Sequence, residues 1–201
     1  MVSRVRKRLS AGERRTKILS AATLAFARDG YDKASMDRIA ALARITKPVL
    51  YDHFSSKRAL FQAVLETIRD GLLARGRLIA EDEADPARTF RCAVDAFLRF
   101  VEQDPEAARV LLTVPAADPV AAQLSREVQA GASSGIAAML GTLMPESDEW
   151  RVRAAAEFLK EGLHAIAIWW LANPGPARAE LVDVVVRIAW SGLEKDDDAM
   201  P

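Results

Sequence analysis

The stretch SMDRIAALARITKPVLYDHFSSKRALFQAVLE, residues 35–66, decides the fold of this chain. Its apolar residues recur every three or four positions, which is the period of helices that bury one face. The pattern predicts two short helices, Ser35–Ala43 and Thr46–His53, and each begins at a small hydroxyl residue that suits an N-cap. Pro48 fits the first turn of the second helix, where an amide has no partner, so it places the start of that helix near Thr46.

Two short helices joined by a tight turn are the outline of a helix-turn-helix, in which the second helix enters the major groove of DNA. In that arrangement Thr46, Lys47 and Pro48 lead into the groove. Tyr51 follows one turn later, where its hydroxyl can reach a phosphate. The unpaired amides at neighbouring helix starts also attract phosphate oxygens. The polar residues beside those starts are Ser35, His53 and Lys57.

Charge is divided unevenly along the chain, although the formal net charge is zero. Residues 1–58 carry 14 Lys and Arg against 5 Asp and Glu, whereas the remaining 143 residues carry 14 against 23. A basic end on an acidic body predicts that the basic end binds a polyanion, here double-stranded DNA. The alternative is an ordinary solvated surface, which does not explain why the cations coincide with the short-helix pattern.

Two features of the basic end have two interpretations each. The N-terminal arm, with Arg4, Arg6, Lys7 and Arg8, either enters a minor groove or is a disordered terminus. Asp52, in the second short helix, either accepts a hydrogen bond from a cytosine amine or is solvated or paired with a lysine.

The rest of the chain follows helical periodicity as well, so the sequence predicts an all-α fold of about nine helices. A first helix begins at Ser10, whose capping-box partner is Glu13, and ends at Asp29-Gly30. The helices predicted after the helix-turn-helix are 56–79, 86–103, 105–114, 118–143, 148–172 and 177–193.

Residues 14–66 closely resemble the TetR family of bacterial transcriptional regulators. The residues that carry the resemblance are Gly30-Tyr31, Ser35, Ile39-Ala40, Lys47, Leu50-Tyr51, His53-Phe54, Lys57 and Ala59-Leu60. The resemblance implies that Lys47 and Pro48 approach base edges. The residues that it implies hold phosphates are Ser35, Tyr51, His53 and Lys57. The core residues that it implies for the small domain are Phe26, Ile39, Ala40, Leu50 and Phe54.

Two positions depart from the family pattern. Family members usually carry glycine in the turn before the second helix, where this chain has Arg44. A residue with a Cβ costs roughly 1 kcal/mol in a left-handed turn, so either the turn has another shape or Arg44 is tolerated. Position 48 is often glycine in the family and is proline here, which changes the possible base contact. Both departures concern which operator is bound rather than whether DNA is bound.

The patterns divide the chain into an N-terminal arm with a helix-turn-helix domain, 1–55, a helical regulatory and dimerisation domain, 56–195, and an acidic tail, 196–201. The resemblance implies that the larger domain binds a small molecule and pairs two subunits. Helix 148–172 is apolar on more than one side, so its second face meets a partner copy or is buried within a monomer. The predicted dimer-interface residues are Phe158, Gly162, Ala165, Trp169, Val185, Ile188 and Gly192.

Aromatic and apolar residues gather on the central helices, where they line an effector pocket or form plain core. We expect a small apolar or aromatic effector, because few charged residues fall on inward-facing positions. His164 orients that effector or is a core or interface histidine. The residues predicted to line the pocket are Phe97, Phe100, Leu111, Val128, Phe158 and Trp169.

Other classes of function fit less well. The chain has no glycine-rich phosphate loop, no metal-spaced His and Cys set and no nucleophile beside a base, so we expect no catalytic residue, metal site or cofactor. A helical protein-binding adaptor would explain the apolar last helices but not the basic end. There is no membrane-spanning apolar run and no secretory signal, and the single cysteine, Cys92, suits the reducing cytoplasm. The sequence therefore predicts a cytoplasmic, ligand-responsive regulator that binds a palindromic operator as a homodimer, and the resemblance favours a repressor.

Overall fold

The computed structural model of the chain describes residues 10–80, 85–113, 115 and 117–193. All regular secondary structure in these ranges is helical, which confirms the all-α prediction of about nine helices. The helices are α1 (Ala11–Lys33), α2 (Met36–Ala43), α3 (Lys47–His53), α4 (Lys57–Ala80), α5 (Pro86–Gln103), α6 (Pro105–Leu112), α7 (Pro119–Leu143), α8 (Glu149–Ala172) and α9 (Arg178–Leu193). The predicted N-terminal arm and acidic tail lie outside the described residues.

Helix α1 begins where its sequence predicts, but it kinks at Gly30 and continues to Lys33 instead of ending at Asp29-Gly30. The Ser10 hydroxyl accepts a hydrogen bond from the backbone N–H of Glu13 at 3.1 Å, and the Glu13 carboxylate accepts one from the backbone N–H of Ser10 at 2.7 Å. Gly30 has φ 72° and ψ 162°, so the helix kinks there before a last turn that ends at Lys33. A side chain is strained at that φ, which is why glycine suits the kink. The last turn places Tyr31 in the core.

The turn between α2 and α3 has the left-handed shape that glycine usually provides. Arg44 adopts φ 56° and ψ 45°. The N–H groups of Arg44 and of the next residue, Ile45, donate to carbonyls in the last turn of α2 at 3.1 and 3.0 Å. The turn therefore keeps the usual helix-turn-helix shape, and Arg44 is accommodated at an energetic cost. Thr46 occupies the N-cap of α3 as predicted, but its hydroxyl makes no capping hydrogen bond.

Replacing Arg44 with glycine is expected to raise the free energy of unfolding by about 1 kcal/mol, because glycine adopts the left-handed conformation without steric strain. Urea denaturation of the two proteins measures the difference. Arg44→Ala is the matched control, since it removes the same charge but keeps the Cβ. An equal gain in both variants would assign the effect to the charge instead of the backbone.

The first three helices and the start of α4 enclose one apolar core. Its fully buried members include Ile18, Ile39 and Leu50. Phe61 of α4 lies against Phe26 of α1, with ring centroids 5.2 Å apart, so aromatic packing joins the two long helices. All five core residues implied for the small domain are buried, namely Phe26, Ile39, Ala40, Leu50 and Phe54.

Helix α4 connects the small domain to the rest of the protein. It packs against α1 on the side of the helix-turn-helix, and against α5 and α7 in the body. Helix α1 also packs along α6, while α7 pairs with α8 and α5 pairs with α9. The small domain therefore rests on the body through both α4 and α6. Across the described ranges, we find no helix with the length and apolar character needed to span a membrane.

Candidate nucleic-acid interface

Helix α3 lies on the outside of the small domain and is held there by one buried face. Leu50 is fully buried, and Phe54, at the C-cap, is 4% exposed. The guanidinium of Arg15 lies 4.6 Å from the centre of the Phe54 ring, so a cation from α1 stands beside the end of α3. The predicted contact residues that are exposed on α3 and its N-cap are Thr46, Lys47, Pro48 and Tyr51.

Lys47 reaches back to the preceding helix instead of extending freely into solvent. Its ammonium group lies 2.9 and 3.0 Å from the two carboxylate oxygens of Asp37, in the first turn of α2. The hydrogen bond to Asp37 raises the pKa of Lys47, so the cation stays protonated. Asp37 therefore holds the lysine at the outer surface of the helix-turn-helix, and a bound phosphate or base would compete with that carboxylate.

Ser35 caps α2, as its position predicts. Its hydroxyl oxygen accepts a hydrogen bond from the backbone N–H of Arg38 at 3.2 Å. The hydroxyl proton is not used by that bond and is available to a phosphate oxygen. Arg38 itself is paired with Asp29 of α1 at 3.2 Å, which ties α2 to α1. His53, in the last turn of α3, is half-buried.

The ammonium group of Lys57 faces inward, although the sequence predicted a phosphate contact. It donates to the backbone carbonyls of Tyr31, Asp32 and Ala34 at 2.9, 3.2 and 3.2 Å. It also lies 4.5 Å from the centre of the Tyr31 ring. The three donors of the side chain are engaged with the carbonyl groups that follow the kink of α1. Lys57 therefore joins the start of α4 to the end of α1. With its three donors engaged in this way, a phosphate bound near the junction of α1 and α4 would be held by other side chains or by backbone N–H groups.

A carboxylate from the body also lies at the junction of α1 and α4, a contact that the sequence patterns did not predict. Asp118, the N-cap of α7, accepts from the backbone N–H groups of Val120 and Ala121, both at 3.0 Å. Its second oxygen accepts from the Tyr31 hydroxyl at 2.9 Å and lies 3.5 Å from the Arg58 guanidinium. These amides and the Tyr31 hydroxyl lower the pKa of Asp118, whereas burial and the hydrogen bond raise the pKa of Tyr31 to about 12. The capping role of Asp118 was predictable, but its partners 60 and 87 residues away were not.

The predicted effector residues do not converge on one pocket. Phe100 lines a groove of about 840 Å³ between α1, α4 and α6, which also contains polar side chains from both domains. Phe97 is half-buried and stacks on His164 with ring centres 6.2 Å apart. Leu111 is buried in the core, and Val128 is half-buried. Phe158 and Trp169 are 71% and 47% exposed in the single subunit, and neither lines the groove that contains Phe100.

Helices α8 and α9 present apolar residues on an outer face. On α8, Phe158, Ala165 and Trp169 are exposed, and Gly162 between them is half-buried. On α9, Ile188 is 67% exposed.

The outer stripe of α9 differs from the predicted one by one position. Val185 is 7% exposed and packs in the subunit core, whereas Val184 is 40% exposed. Each residue advances about 100° around a helix, so the residue beside a core position can face outward. Gly192 lies in the last turn of α9. We name the face formed by Phe158, Ala165, Ile168, Trp169, Val184 and Ile188 the α8–α9 face.

Comparison with known proteins finds similarity to bacterial transcriptional regulators. The family of bacterial regulatory proteins named tetR matches residues 18–64, which span most of α1, the helix-turn-helix and the start of α4. The HTH-type transcriptional activator FasR of Mycolicibacterium smegmatis is 34% identical over 196 residues, and the match covers 92% of this chain and 85% of FasR.

Solved structures share the fold over most of their length. A TetR-like transcriptional regulator from Rhodococcus sp. RHA1 superposes with a TM-score of 0.79 at 26% identity, over 93% of this chain and 99% of that one. The regulator FadR from Bacillus subtilis, in complex with stearoyl-CoA, superposes with a TM-score of 0.77 at 18% identity, over 88% and 98%.

Proposed function

This chain belongs to the TetR family of bacterial transcriptional regulators, and we propose that it acts as a homodimer that binds a palindromic operator in the cytoplasm. The observation that carries the proposal is the exposed face of α3, where Lys47 and Tyr51 stand outward while Leu50 anchors the helix. A helix held in this way can enter a major groove without rearrangement of the small domain. We assign DNA binding to the region up to residue 55, and effector binding and dimerisation to residues 56–195.

Within this proposal the residues at and beside α3 have three roles. Thr46, Lys47 and Pro48 approach base edges, because they stand at the exposed start of α3. The hydroxyls of Ser35 and Tyr51 and the ring of His53 bind phosphates, which supply affinity and register. The side chain of Lys57 acts from inside by fixing the corner between α1 and α4.

The homodimer rests on the α8–α9 face. Large apolar side chains such as Phe158 and Ile188 would remain in water in a lone subunit, and an isologous interface would bury them. The small residues Gly162 and Ala165 between them let two helices approach closely. Two subunits joined there hold their α3 helices one helical turn of DNA apart, or a multiple of it.

The effector in this proposal is a small molecule that buries an apolar or aromatic group in the body, and it shifts the dimer between two arrangements of the α3 helices. Half-buried apolar residues on α5, α7 and α8, among them Phe97 and Val128, are placed to repack around such a molecule. FadR, which shares this fold, was solved with stearoyl-CoA, so a long acyl chain is the effector class that we propose first. FasR is named an activator, whereas the sequence resemblance favoured a repressor, and the sign of regulation therefore stays a prediction.

Purified protein is expected to bind fragments selected from its source genome and to lose affinity steeply as salt rises. The logarithm of the binding constant should fall linearly with the logarithm of salt concentration, by about 0.9 for each phosphate neutralised. Fluorescence anisotropy of labelled duplex measures this slope. Addition of stearoyl-CoA to the preformed complex should release the DNA, and coenzyme A alone should not.

Tyr51→Phe is the matched variant for this experiment, because it removes one hydroxyl from an exposed ring and leaves the core intact. It should weaken binding to every duplex without a change in thermal stability. A protein-binding adaptor would shift no DNA at any salt concentration. Binding that survives stearoyl-CoA would exclude that effector while leaving the DNA-binding function in place.

A further inference from the structure

Asp52 stands on the side of α3 that faces away from the protein. Leu50 is fully buried, and residues two positions before and after it lie roughly 160° around the helix axis from it, at 3.6 residues per turn. Those residues are Pro48 and Asp52, and both are exposed. Since α3 enters the groove with its outer face first, these two side chains meet the floor of the groove more directly than Lys47 does.

The position of Asp52 has no structural explanation within the described residues. Asp52 makes no hydrogen bond or ion pair with any of these residues, so the lysine that it was predicted to pair with is not found among them. It lies one residue before the end of α3, where a carboxylate faces the negative end of the helix dipole. It also repels phosphates, and no cation of the described residues is paired with it, whereas the exposed Asp37 carboxylate is paired with Lys47. A residue that favours neither helix stability nor general DNA affinity points to a specific contact on a surface that binds DNA.

We infer that Asp52 is a specificity-determining residue that accepts a hydrogen bond from the N4 amine of a cytosine in each half-site. This inference rests on the proposed DNA-binding function. A carboxylate only accepts hydrogen bonds, so it requires a donor on the base edge. Cytosine presents N4 as a donor in the major groove, whereas guanine presents the acceptors N7 and O6, and adenine places the acceptor N7 beside its amine. Asp52 therefore selects cytosine and repels guanine.

Pro48 completes the readout on the same side of α3. Its ring carries no donor or acceptor, and the base-edge group that suits it is the methyl group of thymine. Four residues of helix separate Pro48 from Asp52, which is about 6 Å along the axis. Successive base pairs are about 3.4 Å apart. With α3 lying along the groove, this separation places the thymine and the cytosine about two base-pair steps apart in each half-site.

The test is selection of bound duplexes from a random-sequence library by full-length protein, followed by sequencing. The original protein should enrich a palindrome with one invariant cytosine in each half-site. Asp52→Asn should shift that position from cytosine to adenine by about tenfold, because an amide pairs with both N6 and N7 of adenine. Pro48→Ala should relax the thymine two steps away and leave the cytosine position unchanged.

Asp70→Asn is the matched control, because it removes an equal charge from an exposed site on α4 whose partner is the neighbouring Arg69. It should leave every base preference as it was. The inference is overturned if Asp52→Asn raises affinity for all sequences alike and changes no base preference. Asp52 would then only repel the phosphates and would contact no base. Failure of the original protein to enrich any sequence would instead remove the DNA-binding function, and this inference with it.

Discussion

Replacement of Ile188 with glutamate is expected to convert the protein to a monomer and to lower its affinity for operator DNA by about 100-fold or more. A subunit without its partner reads one half-site, and the gain from linking two binding events is of that order. Ile188 is 67% exposed in the single subunit, so the change introduces no charge into the subunit core. Analytical ultracentrifugation measures the mass, and anisotropy with the operator duplex measures the affinity.

Two further variants make the result specific to the α8–α9 face. Phe158→Glu alters the same face from α8, and it should give the same monomer and the same loss of affinity. Leu73→Glu places a charge at another exposed apolar residue, 47% exposed on α4, and should leave the dimer intact. A dimer of unchanged mass in both Ile188→Glu and Phe158→Glu would move the interface to a different surface.

Local chemistry explains why most of the fold could be predicted from the sequence. The capping box at Ser10, the kink at Gly30 and the N-cap at Ser35 each depend on residues within a few positions of one another. The resemblance to the TetR family implied that Leu50 and Phe54 belong to the core, and both are buried. Caps and kinks of this kind are determined by residues within one or two helical turns, so a short stretch of sequence is enough to predict them.

The parts that could not be predicted depend on contacts between distant segments. Nothing near Asp118 in the sequence indicates that its carboxylate meets Tyr31, 87 positions away. The outward stripe of α9 was misplaced because Val184 and Val185 are the same residue type, and only the packing of α5 decides which one is buried. Phe158 was predicted to line a pocket and is 71% exposed in the single subunit, because an apolar helix face does not reveal whether the subunit itself covers it.

Lys57 and Lys47 allow two roles of a lysine to be distinguished, namely contact with DNA and hydrogen bonding within the protein. Both were predicted to contact DNA, yet Lys57 donates to three backbone carbonyls, and Lys47 is paired with the exposed Asp37. Methionine keeps most of the apolar stem of lysine and removes its charge. Replacing a lysine that bonds internally should therefore lower the stability of the fold, whereas replacing one that contacts DNA should weaken DNA binding.

Lys57→Met is expected to lower the free energy of unfolding by about 2 kcal/mol, because three carbonyls after the kink of α1 lose a charged donor. Its DNA affinity should fall only as far as the corner between α1 and α4 loosens, with the salt slope nearly unchanged. Lys47→Met should show the reverse, with little change in stability and weaker binding that depends on the base pair facing position 47, whereas a salt slope shallower by about one would assign its charge to a phosphate. Urea denaturation and salt-dependent anisotropy on the same preparations measure both quantities. Should Lys57→Met keep full stability and lose one unit of slope, its ammonium group turns outward to a phosphate on binding, and the internal bonds contribute little to the fold.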